Sequence, residues 1–245
     1  MKYSFFGYGN LAGAIVKGLT GAGVSASDIT VFAKTDATKD YARSNGLRVA
    51  EGIQGLPSDV LFLATKPAPF RENAESFKQG FENTKVVSLM PGMPAEEVEE
   101  IFGKPVLTVI PTLGIRLGHD VIAVSDREGF DDVKEILSKL GRVIVCDREK
   151  LLKVTVAASC GLGFAADILE AYRKNVSSLG LSDEESVAIV SSIFASAAAM
   201  PPYGELASKV ATKGGITEKG LAAMNKTLDG TIKSAFDAAR EALKI

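Results

Sequence analysis

The chain is poor in the residues on which several chemistries depend. Of its 245 residues only Cys146 and Cys160 are cysteines, which excludes a disulfide framework and fits a reducing cytosol. Their separation fits no zinc-binding pattern. His119 is the single histidine, so histidine-rich metal sites are excluded, and no Ser/His/Asp constellation can be placed around it. No pair of carboxylates has a catalytic rationale either. Net charge is only −2, so no basic field draws the chain to nucleic acid or anionic lipid. No uninterrupted apolar run approaches the ~18 residues of a membrane span, and the first strand starts at once, leaving no room for a signal peptide. There is no low-complexity tail and no internal repeat. These absences predict a cytoplasmic protein with no metal, no nucleic-acid partner and no membrane partner.

What is present is ordinary in bulk and patterned in detail. Apolar residues make up 46% and charged residues 24%, as in a soluble globular protein of one large or two medium domains. Up to about residue 145, strand-like and helix-like segments alternate. Strands are expected at Lys2–Phe6, Ile29–Phe32, Val60–Ala64, Val86–Leu89, Val106–Ile110, Val121–Val124 and Val143–Cys146. Helices are expected at Ala12–Gly21, Thr38–Ser44, Ala68–Phe81, Ala95–Phe102 and Phe130–Leu140. Short β-branched runs between helices predict an α/β architecture, a mostly parallel sheet covered on both faces. After Asp147 no strand is evident. Four or five helices fit, roughly Glu149–Leu179, Asp183–Met200, Gly204–Thr212, Thr217–Leu228 and Gly230–Leu243, punctuated by Gly180, Pro201-Pro202 and Gly214-Gly215. The division expected is 1–147 and 148–245. Ile189–Met200 is rich in Ala and Ser, which suits either close packing in a dimer or an ordinary core helix.

The most informative motif is Gly7-Tyr8-Gly9-Asn10-Leu11-Ala12. It follows an apolar strand and opens a small-residue helix, the context a dinucleotide fingerprint requires. Gly7 permits the tight turn, Gly9 lets backbone approach a pyrophosphate, and Ala12 lets helix and strand pack closely. The helix N-terminus offers free N–H groups to the anion. After the second strand comes Ala33-Lys34-Thr35, with no acid to bond a ribose 2′-hydroxyl. Lys34 supplies charge and Thr35 a hydrogen bond for a 2′-phosphate, with Lys39 assisting if its helix turns inward, so NADP(H) is favoured over NAD(H). The plainer reading is solvated lysines. Ala64-Thr65-Lys66-Pro67 ends a strand at the ligand crevice, where Lys66 meets either the cofactor or solvent. Ser88-Leu89-Met90-Pro91-Gly92 has a similar place after the next strand.

Gly7–Ala12, the Lys17-Gly18-Leu19 helix and Asp59-Val60-Leu61-Phe62-Leu63-Ala64-Thr65-Lys66-Pro67 together resemble pyrroline-5-carboxylate reductases. Lys213-Gly214-Gly215-Ile216-Thr217-Glu218-Lys219-Gly220-Leu221 looks like that family's Ser-Pro-Gly-Gly-Thr-Thr-x-x-Gly-Leu motif, and Ala235–Leu243 fits its closing helix. The resemblance covers nearly the whole chain, in order and at the right spacing. It implies a Rossmann-type dinucleotide-binding domain followed by an all-helical dimerisation domain, a homodimer or higher homo-oligomer, and NAD(P)H-dependent reduction of a cyclic imine acid to proline. Carried across residue by residue, Thr217 bonds the imine nitrogen and helps deliver a proton. Backbone at Gly214, Gly215 and Ile216 holds the substrate carboxylate, flanked by Thr212 and Lys213. The plainer reading makes Thr217 a helix N-cap and Gly214-Gly215 a left-handed turn after a helix.

The sequence departs from the family around the substrate. Of Arg-x-Met-Pro-Asn-Thr-Pro only Pro111 survives in Thr108–Gly114. Of Ser-Gly-Ser-Gly-Pro-Ala-Tyr, Ser159 survives as a substrate-binding candidate, followed by Cys160 and Gly161, and the usual upstream threonine is Val156. The family's Ser, Pro and first Thr are Thr212, Lys213 and Ile216. Lost hydroxyls weaken polar recognition of a small acid, and Leu162 and Phe164 make the pocket more apolar. Lys213 and Arg116 are candidate replacements, or solvated cations. Cys160 reads as a small thiol rather than a nucleophile. Two alternatives stay open: a divergent reductase of another imine or carbonyl, and a non-catalytic NADP(H)-binding regulator.

Overall fold

The structure is a computed structural model, and residues 1–243 are described. Eight strands form one sheet in the order β3-β2-β1-β4-β5-β6-β7-β8. These are β1 (Tyr3–Phe6), β2 (Ile29–Phe32), β3 (Arg48–Val49), β4 (Val60–Leu63), β5 (Lys85–Ser88), β6 (Val106–Ile110), β7 (Asp120–Ser125) and β8 (Gly141–Cys146). Pairing is parallel except that β7 runs antiparallel to β6. The order reverses direction between β1 and β4, which places the topological switch point at the ends of those two strands.

Helices α1 (Asn10–Gly21), α2 (Asp36–Ser44), α3 (Pro67–Glu72), α4 (Ala95–Phe102) and α5 (Asp131–Ser138) connect the strands. Successive residues of a strand face opposite sides, so the sheet carries two cores. Phe5 packs with Ile15, Leu19 and Phe62, whereas Phe6 packs with Phe70 and Phe77. All four residues of β1 are buried, as a strand covered on both faces requires. Fully burying each such phenylalanine contributes about 2 kcal/mol.

Three local expectations change. The expected helix Ala68–Phe81 breaks at Asn73, where α3 ends and a 3₁₀ turn, Ala74–Phe77, follows. Asn73 Nδ2 donates to the Pro69 carbonyl (2.8 Å), an amide side chain competing for a helix carbonyl. Strand β3 has only two residues, too few to show a period. The chain is helical from Arg148 to Ser177, as α6 (Arg148–Val154), a π-helical turn (Thr155–Cys160) and α7 (Gly161–Ser177). Its best 18-residue window has mean hydropathy 1.5 and is 17% buried, so by length and composition it is apolar enough to cross a membrane. No uninterrupted apolar run there approaches a membrane span, because Thr155, Ser159, Gly161, Gly163, Asp167 and Glu170 interrupt it while the average stays apolar.

By contacts the chain divides into two compact units, the first ending at Ser159 and the second starting at Cys160. Leu151 and Val154 of α6 pack with Ile110, Ala123 and Cys146 in the first unit, so the helix expected to open the second domain has its first turns in the first. The second unit holds α7, α8 (Asp183–Ala198), α9 (Tyr203–Val210), α10 (Ile216–Met224) and α11 (Leu228–Leu243). Arg173 on α7 pairs with Glu170 (2.7 Å) and with Asp183 at the start of α8 (2.7 Å). Ser182 and Glu185 form a reciprocal capping box on α8. Among the described residues from Cys160 onward only Val176, Ser186 and Val190 are buried.

Candidate functional site

The glycine turn lies at the switch point. Gly7 has φ +101°, and a Cβ there would come within 2.5 Å of the Ala64 carbonyl oxygen. The position is open only to glycine, both by conformation and by space. Gly7 N–H donates to the Phe32 carbonyl (3.0 Å) and Ala64 N–H to the Phe6 carbonyl (2.9 Å), so the ends of β1, β2 and β4 are tied together here. Gly9 is the N-cap of α1. No side chain caps this helix and no acid lies in its first turn, which leaves its N–H groups available to an anion. Ala12 is buried, Leu11 is partly buried, and Asn10 is exposed. Burial raises the phenol pKa of Tyr8, and Tyr41 adds to it.

Lys34 is exposed, two residues past the end of β2. Thr35 is the N-cap of α2: its hydroxyl accepts from Thr38 N–H (3.3 Å) and shares a 2.8 Å hydrogen bond with the Thr38 hydroxyl. Lys39 turns to Glu51 (3.2 Å) and Asp36 (3.8 Å) instead of toward the turn. Ala64 and Thr65 are partly buried, Lys66 is the exposed N-cap of α3, and Pro67 is the first helical residue, where a missing N–H costs nothing. Ser88 Oγ accepts from Met90 N–H (3.3 Å), holding the β5 loop closed.

In the second unit, Thr212, Lys213, Gly214, Gly215, Ile216 and Thr217 form one turn. Gly215 N–H donates to the Thr212 carbonyl (2.9 Å), Gly214 has φ +77°, and a Cβ on Gly215 would collide with Thr212. Gly215 is the N-cap of α10, without a side-chain cap bond. Thr217 therefore lies inside the helix with an exposed side chain. The reading of Thr217 as an N-cap is overturned, because the cap falls two residues earlier, on glycine. Gly214 N–H already donates to Glu218 Oε2 (2.7 Å), a contact the sequence reading did not anticipate. Glu218 is the third helical residue and reaches past the Gly215 cap to the N–H before it, so this is not a capping box, which needs a side chain on the cap.

Ser159 lies in the π-helical turn, and its hydroxyl donates to the Pro111 carbonyl (3.3 Å). The two survivors of the eroded segments are thus paired. Beyond Pro111, the buried Asp120 carboxylate accepts from Thr112 N–H (2.7 Å), Thr112 Oγ1 (2.8 Å) and Val121 N–H (2.8 Å). Burial is the main influence on Asp120 and raises its pKa, while the three donors pull it down. Thr112 Oγ1 in turn accepts from Gly114 N–H (2.9 Å), so one carboxylate fixes the turn between β6 and β7. His119 and Arg116 are exposed in that turn, Cys146 is buried, and Cys160 is partly buried as a free thiol. No cluster of metal-ligating side chains occurs among the described residues.

Comparison with known proteins decides the lineage. Residues 149–244 match the family described as pyrroline-5-carboxylate reductase dimerisation, and residues 2–92 match NADP oxidoreductase, coenzyme F420-dependent. Pyrroline-5-carboxylate reductase of Staphylococcus haemolyticus is 26% identical, over 98% of this chain and 95% of that protein. The Staphylococcus saprophyticus protein of that name is 28% identical, over 92% and 90%. Together these matches support the pyrroline-5-carboxylate reductase family. In fold it follows the Plasmodium falciparum pyrroline carboxylate reductase solved with NADP bound, with TM-score 0.88 and 20% identity over 100% of this chain and 97% of that one. The Streptococcus pyogenes 1-pyrroline-5-carboxylate reductase gives TM-score 0.86 at 20% identity, over 100% and 98%. The N-terminal Rossmann-type sheet and the helical C-terminal region are thus the family's two domains, and the family match opens at residue 149, inside α6.

Proposed function

We propose that this reductase-family member reduces the C=N bond of 1-pyrroline-5-carboxylate to give proline, using NADPH in preference to NADH. The observation that carries the reading is the Gly7–Ala12 turn at the switch point, in a chain matched over almost its whole length by reductases of that name. The residues present fit a dinucleotide. The cradle at Gly7 would be filled by any Cβ, and α1 opens toward it with neither a side-chain cap nor an acid. Backbone at Gly9, Asn10 and Leu11 holds the pyrophosphate, Lys34 the 2′-phosphate, and Ala64–Pro67 borders the remaining length. When bound, the dinucleotide supplies the hydride that goes to the imine carbon.

In the helical unit, the 212–216 turn holds the substrate carboxylate, with N–H groups and the α10 dipole favouring an anion. Glu218 must release Gly214 N–H for that donor to serve. The Thr217 hydroxyl bonds the ring nitrogen and orients the proton it gains. The chain works as a homodimer or larger homo-oligomer, in a reducing cytosol that keeps both thiols free.

A second reading, reduction of a different imine or carbonyl acid, is favoured by a specific pair of contacts. Ser159 and Gly214, both assigned to the acid by resemblance, are engaged within the chain, with Pro111 and Glu218 respectively. NADPH oxidation on adding 1-pyrroline-5-carboxylate, with proline identified as product, tests the first reading. Turnover of other cyclic imines or keto acids in its place would establish the second.

A further inference from the structure

A cleft of about 820 Å³ lies against α1 in the first unit, lined by parts of α1, α2 and the β6–β7 turn. It adjoins the dinucleotide crevice at the phosphate turn and extends away from it along α1. It shares Tyr8, Gly9 and Asn10 with the phosphate turn, but neither Lys34–Thr35 nor Ala64–Pro67 lines it. Its size falls within the usual range for small-molecule sites, roughly 300–1,000 Å³.

Gly9 and Gly13 are among its lining residues. A Cβ on Gly9 or Gly13 would meet nothing within 4 Å, so the surface of α1 is open to a ligand there. Its charge is one-sided. Lys17 and Arg116 line the cleft and no Asp or Glu does, in a chain whose net charge is −2.

The two cations are carried by elements that meet through backbone. A Cβ on Gly18 would come within 2.7 Å of the Ile115 carbonyl oxygen, so α1 meets the β6–β7 turn directly, and Lys17 and Arg116 are the chain neighbours of the two residues in contact. Neither cation has an ion-pair partner among the described residues. Like charges gathered without a carboxylate are unfavourable until an anion joins them. The turn that carries Arg116 is already fixed by the Thr112–Asp120 bonds, which lowers the ordering cost of binding.

The wall is aromatic. Tyr8 and Tyr41 lie with ring centroids 6.2 Å apart and 32° between planes, and Tyr41 is 61% exposed, presenting ring surface to the cleft it lines.

We propose that this cleft is a second ligand site, for a small monophosphate carried on a planar ring. The phosphate, at about −1.5 to −2 near neutral pH, matches the two cations, and the ring stacks on Tyr41. The assignment is independent of the substrate reading above.

The test is calorimetric titration of the full chain with phenyl phosphate and, separately, inorganic phosphate, with and without saturating NADPH. Phenyl phosphate is expected to bind once per chain whether or not NADPH is present. Lys17→Gln and Arg116→Gln should each weaken it at least roughly tenfold. Tyr41→Ala should weaken phenyl phosphate and leave inorganic phosphate unchanged. All three side chains are exposed, and matching circular dichroism would show that the variants fold. Absence of saturable binding at ~1 mM, indifference to the Lys17 and Arg116 changes, or one-for-one displacement by NADPH would each overturn the proposal.

Discussion

Lys34 and Thr217 carry the residue-level weight of the account, and they stand in different local settings. Lys34 is exposed two residues past the end of β2 with no carboxylate partner among the described residues, whereas nearby Lys39 is taken up by Glu51 and Asp36. Lys34→Ala is therefore expected to raise the Kd for NADPH by roughly tenfold, the scale of one charge-assisted hydrogen bond, and to leave NADH binding nearly unchanged. Fluorescence titration with both cofactors measures it, and equal losses would remove Lys34 from the 2′-phosphate. Thr217 is not needed to cap α10, because Gly215 does that. Thr217→Ala should accordingly leave thermal stability within ~0.5 kcal/mol, as for an ordinary surface substitution, while lowering kcat by roughly 10²-fold with NADPH affinity intact. Unaltered kcat would leave Thr217 without a role in the chemistry.

Among the elements, the β6–β7 turn is the most instructive, because a single buried carboxylate organises it. Burial holds the Asp120 carboxyl above its ordinary range. The folded chain then binds this proton more tightly than the unfolded chain does, so the contribution of Asp120 to stability is greatest at low pH. It declines as pH rises from about 3.9, the unfolded value, through the raised folded value, and is level above that. Asp120→Asn should flatten this region of the pH dependence in urea unfolding. At neutral pH it should also cost about 1–3 kcal/mol, since an amide cannot accept from all three donors. A pH profile identical to that of the parent would contradict the assignment. None of this was legible in the sequence, where Asp120 is one acid among many beside His119 and Arg116. The strands were legible, because β1, β4 and β6 are short, mostly apolar runs rich in aromatic and β-branched residues, and so was the glycine turn, whose spacing is dictated by local geometry. What stayed hidden were contacts that periodicity does not report: local side-chain bonds, of Asn73 to Pro69 and of Glu218 to Gly214, and the tertiary setting of the two-residue β3 and of the π-helical turn around Ser159. The Gly-Gly pattern did not fix the cap, which falls on Gly215, two residues before Thr217.

As a whole, the molecule pairs a well-filled sheet unit with a helical unit that has almost no interior of its own. Ile168, Val187, Ile189, Ile193 and Met224 are all exposed in the latter, and only 17% of the apolar window within Arg148–Ser177 is buried. Apolar surface on this scale marks an interaction face, and the family match over residues 149–244 is to a dimerisation region. Sedimentation should therefore give a dimer or larger assembly, and Ile193→Asp should shift it toward monomer. A parent chain that is monomeric at micromolar concentration would contradict the assembly. The activity itself is the claim on which the rest depends. The direct measurement is the loss of NADPH fluorescence when 1-pyrroline-5-carboxylate is added to the purified chain, with NADH run in parallel and the product identified. The account predicts oxidation faster with NADPH and proline as product. Bound NADPH that is not oxidised by this imine would contradict it.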